Sequence, residues 1–279
     1  MPHPFRQAVC NELFEQRPLQ EVCRAVRRIG YDGIEIAPFT LGEKPSDISA
    51  VSRRETRRVI AEEGLAFVGL HWLMVSPAGL HVTTPDRALR QKSWAHIRDL
   101  IGLCADLGDN GVMVFGSPKQ RGTTAGLSPA EARANYIEGL ASVATDAAEH
   151  GVTILVEALP LNQCDVITTL ADAVAVVNAI DSPSVRTMFD SHNAVDETEQ
   201  HAALIDRYFE YIRHVHVNET DGRHPGTGDY DFKPVFDILR RRRYAHWVSL
   251  EAFDFTPGAE QVAAESLRYL ETQMDAVAA

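Results

Sequence analysis

No apolar run in this chain of 279 residues approaches the ~18 that a membrane-spanning helix requires, so no span is expected. Basic residues are in deficit: 27 Lys and Arg stand against 39 Asp and Glu, a formal net charge of −12. Phosphate backbones and anionic lipids are repelled over most of such a surface, which argues against nucleic-acid and membrane partners. The one basic run, Arg240-Arg241-Arg242-Arg243, falls at an expected helix end, where cations meet the negative end of the dipole. Cysteine is scarce and scattered. Cys10, Cys23, Cys104 and Cys164 form no CxxC pair, which excludes a disulfide framework or zinc knuckle and suits free thiols in a reducing compartment. The first residues, MPHPFRQAVCNELF, show no basic stretch followed by an apolar one, so no secretion signal is read and a cytoplasmic location is expected. Neither GxGxxG nor a Walker sequence occurs, and no low-complexity linker breaks the composition. One domain over residues 1–279 is expected.

What is present is alternation. Short apolar runs occur at Gln7–Cys10, Gly33–Ala37, Ala66–His71, Gly111–Phe115, Val152–Glu157, Val185–Asp190, Ile212–Val217 and Trp247–Glu251. Such runs, rich in Val, Ile, Leu and Phe, read as parallel strands buried on both faces. Helical patterns lie between them. Leu19, Val22, Cys23, Val26 and Ile29 make one stripe after Pro18, and Leu170, Val174 and Val177 make another after Thr168-Thr169. Residues 86–107, 129–150, 196–209, 232–243 and 257–273 complete the set, with Gly30, Gly64 and Gly151 placed as helix ends. Eight strand–helix units predict α/β architecture closed as a (β/α)8 TIM barrel. The least regular stretch, 72–85, suits a lid or rim.

Working residues of such barrels sit at the C-terminal ends of the strands. Those ends here carry Glu35, His71, Glu157, Asp190, His216 and Glu251. One carboxylate at a strand end is commonly a cap or ion-pair partner. Four ionisable groups on four consecutive strands are a different matter, because converging buried carboxylates repel one another and each costs several kcal/mol without a partner. A divalent cation makes such a cluster tolerable. Three carboxylates and one imidazole, Glu157, Asp190, His216 and Glu251, favour Mn²⁺, with Mg²⁺ or Co²⁺ as alternatives, and no organic cofactor. In HVHVNE, alternation turns His214 and His216 to the same face. His216 lies level with the carboxylates and is the expected ligand, whereas His214 lies one layer deeper and supports it.

The motifs GYDGIEI (30–36), VEALPLN (156–162), FDSHN (189–193), HVHVNE (214–219), HPGTGDYDF (224–232) and SLEAF (249–253) resemble the xylose isomerase-like TIM barrels of sugar isomerases and epimerases. The intervals between the expected ligands, 33, 26 and 35 residues, look like those of its ketose 3-epimerases, and the hydroxypyruvate isomerases are the other near branch. The resemblance covers essentially the whole chain. It implies that Glu157 and Glu251 bind the metal and also exchange a proton with a substrate carbon, through a cis-enediolate. Departures fall on substrate contacts. The family's Glu six residues after the strand-five glutamate is here Gln163. Its His three after the strand-six Asp finds His192 only two after Asp190, and its Arg six after the strand-seven His finds Gly222, with Arg223 next. A one-residue loop shift would let His192 and Arg223 bind substrate. His71, Trp72 and Glu35 complete the expected substrate contacts, Trp72 as a stacking wall or rim packing and Glu35 as a rim contact or ion-pair partner. In VMVFGSPKQRG (112–122), Ser117, Lys119, Gln120 and Arg121 suit either a phosphate or carboxylate site or a solvated loop.

The resulting expectation is a metal-dependent sugar isomerase or epimerase acting on a small keto-sugar, as a dimer or tetramer. A dehydratase of a keto-inositol or dehydro-sugar is the alternative on the same barrel. A multi-metal endonuclease fits poorly with the acidic surface, and a passive sugar-binding protein would leave the paired glutamates unexplained.

Overall fold

The computed structural model describes residues 5–15, 17–124 and 126–276. Its strands are β1 (Arg6–Cys10), β2 (Gly33–Ile36), β3 (Ala66–Leu70), β4 (Val112–Phe115), β5 (Thr153–Val156), β6 (Val185–Asp190), β7 (Ile212–Val217) and β8 (Trp247–Leu250). All pair in parallel in chain order, and β8 pairs with β1 to close the barrel. Closure leaves no unpaired edge. The expected (β/α)8 TIM barrel is the observed fold.

Between the strands run α1 (Leu19–Ile29), α2 (Ala50–Glu62), α3 (Arg87–Leu107), the single turn α4 (Pro118–Arg121), α5 (Pro129–Glu149), α6 (Leu170–Ile180), α7 (His201–Tyr208), α8 (Lys233–Arg241) and α9 (Ala259–Ala276). Their starts follow from side-chain chemistry. Asp86 accepts from the amides of Ala88 and Leu89, Thr169 from Asp172, and Ser128 with Glu131 forms a reciprocal capping box. After α2, Gly64 takes φ 76, a left-handed value that costs a β-carbon-bearing residue energy, and this turns the chain into β3. One expected helix is shorter than read. Residues 196–200 stay outside α7 because Asp196 and Glu197 are used elsewhere, accepting from the main-chain amides of Leu161 and Leu170. The arginine run after α8 is spent on ion pairs, Arg241 with Asp237 and Arg242 with Asp206 and Glu210.

The strands are buried on both sides, as parallel strands under helices must be. Ala8, Val68, Val112, Val114, Leu155 and Met188 form a small apolar cluster of the core. Two residues beyond Ala8, Leu155 and Met188 stand Cys10, Glu157 and Asp190. Alternation therefore places a polar layer directly above an apolar one. Residues 72–85 contain no helix or strand but are not loose. Leu73, Met74, Leu80 and Val82 are buried, and the Val82 amide donates to the Gln120 carbonyl at 2.8 Å.

Candidate active site

The polar layer opens at the C-terminal ends of β5 to β8. Glu157 follows β5, Asp190 ends β6, His216 is the penultimate residue of β7 and Glu251 follows β8. Each offers one ligand atom, and the four atoms lie within 4.8 Å of one another with all four residues buried. Cross-strand register explains part of this, since Asp190 is the direct partner of His216.

Each donor is aimed by a neighbour. Asp190 Oδ1 accepts the amides of His192 (2.7 Å) and Asn193 (3.0 Å), while its buried Oδ2 has no partner among the described residues. That orphan oxygen lies 3.6 Å from His216 Nδ1. His216 Nδ1 is 3.1 Å from Glu251 Oε2, and its Nε2 is 3.2 Å from Glu35 Oε1. An Nε2–H donated to Glu35 leaves Nδ1 as the ligand atom. Glu157 Oε1 accepts from Asn193 Nδ2 at 2.8 Å, and Glu251 Oε1 accepts the indole N–H of Trp72 at 2.8 Å.

Electrostatics separate the two glutamates. Burial, with the charges of Asp190 and Glu251 added, pushes Glu157 up to about 8. Burial also works to raise Glu251, but His216 outweighs it and holds that carboxyl below its usual range. For His216, burial opposes charge, yet the Glu35 and Glu251 carboxylates outweigh burial and raise the imidazole well above its ordinary value. Three carboxylates with an orphan oxygen and one imidazole turned inward fit a divalent cation, which would satisfy Asp190 Oδ2 and relieve the repulsion around Glu157. Glu157, Asp190, His216 and Glu251 would hold it.

Beneath these donors lies a fully buried network. Glu35 accepts from His214 Nε2 (2.9 Å) as well as from His216. Burial works against its charge, but the two histidines hold it well below the usual carboxylate range. Glu35, expected among the substrate contacts, is thus corrected to the ion-pair role: wholly buried under two imidazoles, it has no face at the rim. His71 is corrected as well. It is wholly buried behind Trp72, with Nε2 at 2.5 Å from Glu12 Oε2 and Nδ1 at 3.7 Å from Glu35 Oε1. Glu12 was not legible as a site residue, because it follows β1 in a short 3-10 turn rather than ending an apolar run.

Over the donors opens a cleft of about 320 Å³ whose lining includes Trp72, Lys119, Glu157, Gln163, Asn193, Glu251 and Phe253. Trp72 is stacked between Phe39 (centroids 6.0 Å) and Phe253 (6.2 Å), making an apolar wall. The anticipated one-residue shift does not occur at β6. Asn193, three residues after Asp190, faces the cleft and Glu157, whereas His192 stands behind, with Nδ1 at 2.8 Å from the Thr220 carbonyl and Nε2 at 3.2 Å from Gln163 Nε2. Counting from Asp190 was the available signal. Arg223 is likewise corrected: it is half-exposed, pairs with Asp221 at 2.7 Å and does not line the cleft. Arg121 is no cleft cation either. It is wholly buried and donates to the carbonyls of Phe115 (2.9 Å) and Glu157 (2.7 Å). Gly116, at the end of β4, was also missed. A β-carbon there would lie 2.1 Å from Glu157 Oε2, so only glycine admits that carboxylate.

The family model for xylose isomerase-like TIM barrels matches residues 23–273. The chain belongs to this family. Among its curated relatives, 2-oxo-tetronate isomerase of Cupriavidus necator is 28% identical over 46% of this chain and 52% of that protein. L-ribulose 3-epimerase of Mesorhizobium japonicum is 25% identical over 85% of this chain and 76% of its own. A solved L-ribulose 3-epimerase superposes with TM-score 0.83 at 19% identity, covering 98% of this chain and 96% of that one, which concerns the fold. The resemblance to sugar isomerases and epimerases read from the motifs is borne out at this level.

Proposed function

We propose that the chain is a divalent-metal-dependent isomerase or epimerase of small keto-sugars. The observation that carries the reading is the convergence of Glu157, Asp190, His216 and Glu251 under a cleft with an aromatic wall. Family membership and the enzymatic names of the relatives support it.

The two glutamates stand on strands three apart round the barrel, so they reach a bound substrate from different sides. When bound, a divalent cation would supply polarisation of a substrate carbonyl and its neighbouring hydroxyl, acidifying the C–H between them. Manganese is the proposed ion, with magnesium or cobalt as substitutes. One glutamate removes that proton, and the other returns one to the opposite face of the same carbon (epimerisation) or to the adjacent carbon (isomerisation). Trp72 and Asn193 hold one oxygen of each carboxylate, which limits rotation and presents the other. The wall of Phe39, Trp72 and Phe253 excludes water from one side and offers a surface to a sugar chain.

The relatives' names do not agree on a substrate: one is an isomerase of an oxo-acid by its name, the other an epimerase of a ketose. The dehydratase alternative has no observation of its own in its favour. The reading is tested by solvent exchange. Manganese-loaded enzyme is incubated in D₂O with a panel of ketoses and keto-acids, and deuterium at carbon is followed by NMR. Exchange that disappears in Glu157→Gln and Glu251→Gln and on chelation supports it. Exchange that survives those changes, or a product lighter by one water, overturns it.

A further inference from the structure

Lys119 is the one basic residue among the described residues lining the cleft, and it makes no hydrogen bond or ion pair with them. In a chain of net charge −12, an exposed, unpaired cation in the cleft that also holds Glu157 and Glu251 is a surplus that the proton-transfer pair does not use. Two residues before it, the Ser117 hydroxyl is buried with no partner among the described residues. Ser117 also holds φ 49, a left-handed conformation that costs a residue with a β-carbon and is kept only where the surroundings enforce it.

The surroundings do enforce it. Arg121, at the end of the same turn, inserts under it and donates to the carbonyls of Phe115 and Glu157. The carbonyl of Gln120 accepts the Val82 amide at 2.8 Å, which fastens the turn to the 72–85 segment. The backbone carrying Ser117 and Lys119 is therefore tied to the residue whose carboxylate moves the proton. A strained backbone and a hydroxyl without a partner coincide at Ser117, two residues before the exposed cation, and a solvated loop requires neither.

We infer that Ser117 and Lys119 receive a carboxylate at the far end of the substrate, so that the preferred substrates are keto-sugar acids rather than neutral ketoses. The inference rests on the proposed function and names its substrate class. One ammonium and one hydroxyl match a single negative charge. A phosphoryl dianion is ordinarily met by several cations or main-chain amides, and Arg121, the other cation of the turn, is wholly buried and does not line the cleft.

The test uses the full chain loaded with manganese and three unreactive four-carbon probes in calorimetry: erythritol, erythronate and erythritol 4-phosphate. Wild type is expected to bind erythronate about tenfold to hundredfold more tightly than erythritol, the range of a charge-assisted hydrogen bond. In Lys119→Met and Lys119→Gln that ratio collapses towards one, and in Lys119→Arg most of it remains; circular dichroism verifies the fold of each. Erythronate binding that is the same in wild type and both neutral variants would place its carboxylate on the metal and overturn the inference. Tighter binding of the phosphate than of erythronate also overturns it. Exchange in D₂O reports separately on the reaction. Lys119-dependent binding of erythronate without exchange on any substrate rejects the proposed function and leaves the carboxylate site standing. Exchange without Lys119-dependent binding does the reverse.

Discussion

Trp72 and Glu251, far apart in sequence, meet through one hydrogen bond of 2.8 Å that ties the end of strand three to the end of strand eight. Trp72 adopts φ 51 to make it, a conformation that costs a β-carbon-bearing residue roughly 1–2 kcal/mol. Stacking against Phe39 and Phe253 offsets part of that cost. The indole thus serves two ends, as a wall of the cleft and as a clamp on a carboxylate. Trp72→Phe keeps the stack and removes the donor. The expected result is a fall in kcat/KM of about tenfold or more, the scale of a hydrogen bond to a charged group, with a far smaller change in melting temperature than Trp72→Ala produces. Steady-state kinetics beside thermal denaturation check it, and unchanged kinetics in Trp72→Phe would count against the clamp.

Gly116 controls the other glutamate by leaving room. Gly116→Ala puts a methyl group 2.1 Å from Glu157 Oε2, and a carboxylate at the end of a flexible side chain will swing aside before the backbone does. The fold should survive with a loss of about 1–3 kcal/mol from overpacking. Manganese affinity and solvent exchange should fall by roughly a hundredfold, because the oxygen proposed to bind the metal and move the proton is displaced. Gly102→Ala is the control. It lies inside α3 with nothing within 4 Å of the added carbon, so it should stabilise by up to about 1 kcal/mol and leave catalysis alone.

Much of this architecture was legible because its causes are local. Strand runs such as Ile154–Val156 and Met188–Phe189 are apolar on both faces, and the polar residue that ends each run marks the open end of the barrel. Glu157, Asp190, His216 and Glu251 could therefore be grouped before any coordinates. What lay hidden depends on chain crossings. Whether Glu35 faces solvent or two imidazoles depends on β7 lying across the barrel from β2, which its own neighbours do not encode. Arg121 reads as a surface cation in SPKQRG, yet the turn it ends folds back over the carbonyls of Phe115 and Glu157. His192 and Asn193 differ by one position, and only the Asp190 turn, with both amides on Oδ1, decides which faces the cleft.

Glu35 orients His216 from below, which makes it a positioning residue. Glu35→Gln preserves shape and removes the charge that fixes the imidazole's tautomer and steadies its position. Manganese affinity, measured by titration calorimetry, should fall about tenfold to a hundredfold, in the range found when a carboxylate behind a ligating histidine is removed. Glu35→Leu should be worse, since it leaves His214 Nε2 and His216 Nε2 buried without an acceptor and costs stability as well. Equal manganese affinity in wild type and Glu35→Gln would show that His216 needs no such support.

The raised pKa of Glu157 sets metal-free stability and the proposed metal binding on opposite trends with pH. Its folded value, about 8 against 4.5 for the ordinary carboxyl, means that the metal-free folded chain holds a proton that the unfolded chain has lost throughout that window. Stability of the metal-free protein should therefore be greatest near and below pH 4.5, as far as this group is concerned. It should fall as pH rises towards 8 and level off above, because folding there requires burial of the charged carboxylate. Manganese reverses the trend. Binding needs the ionised form, so it releases a proton below about pH 8, and affinity should climb roughly tenfold per unit between pH 6 and 8 before flattening. Melting temperatures with chelator and with manganese, each taken from pH 5.5 to 9, should diverge as pH rises. In Glu157→Gln, which carries no charge at either pH, the chelator series should lose this slope. A slope that persists in that variant would assign it to another group of the cluster.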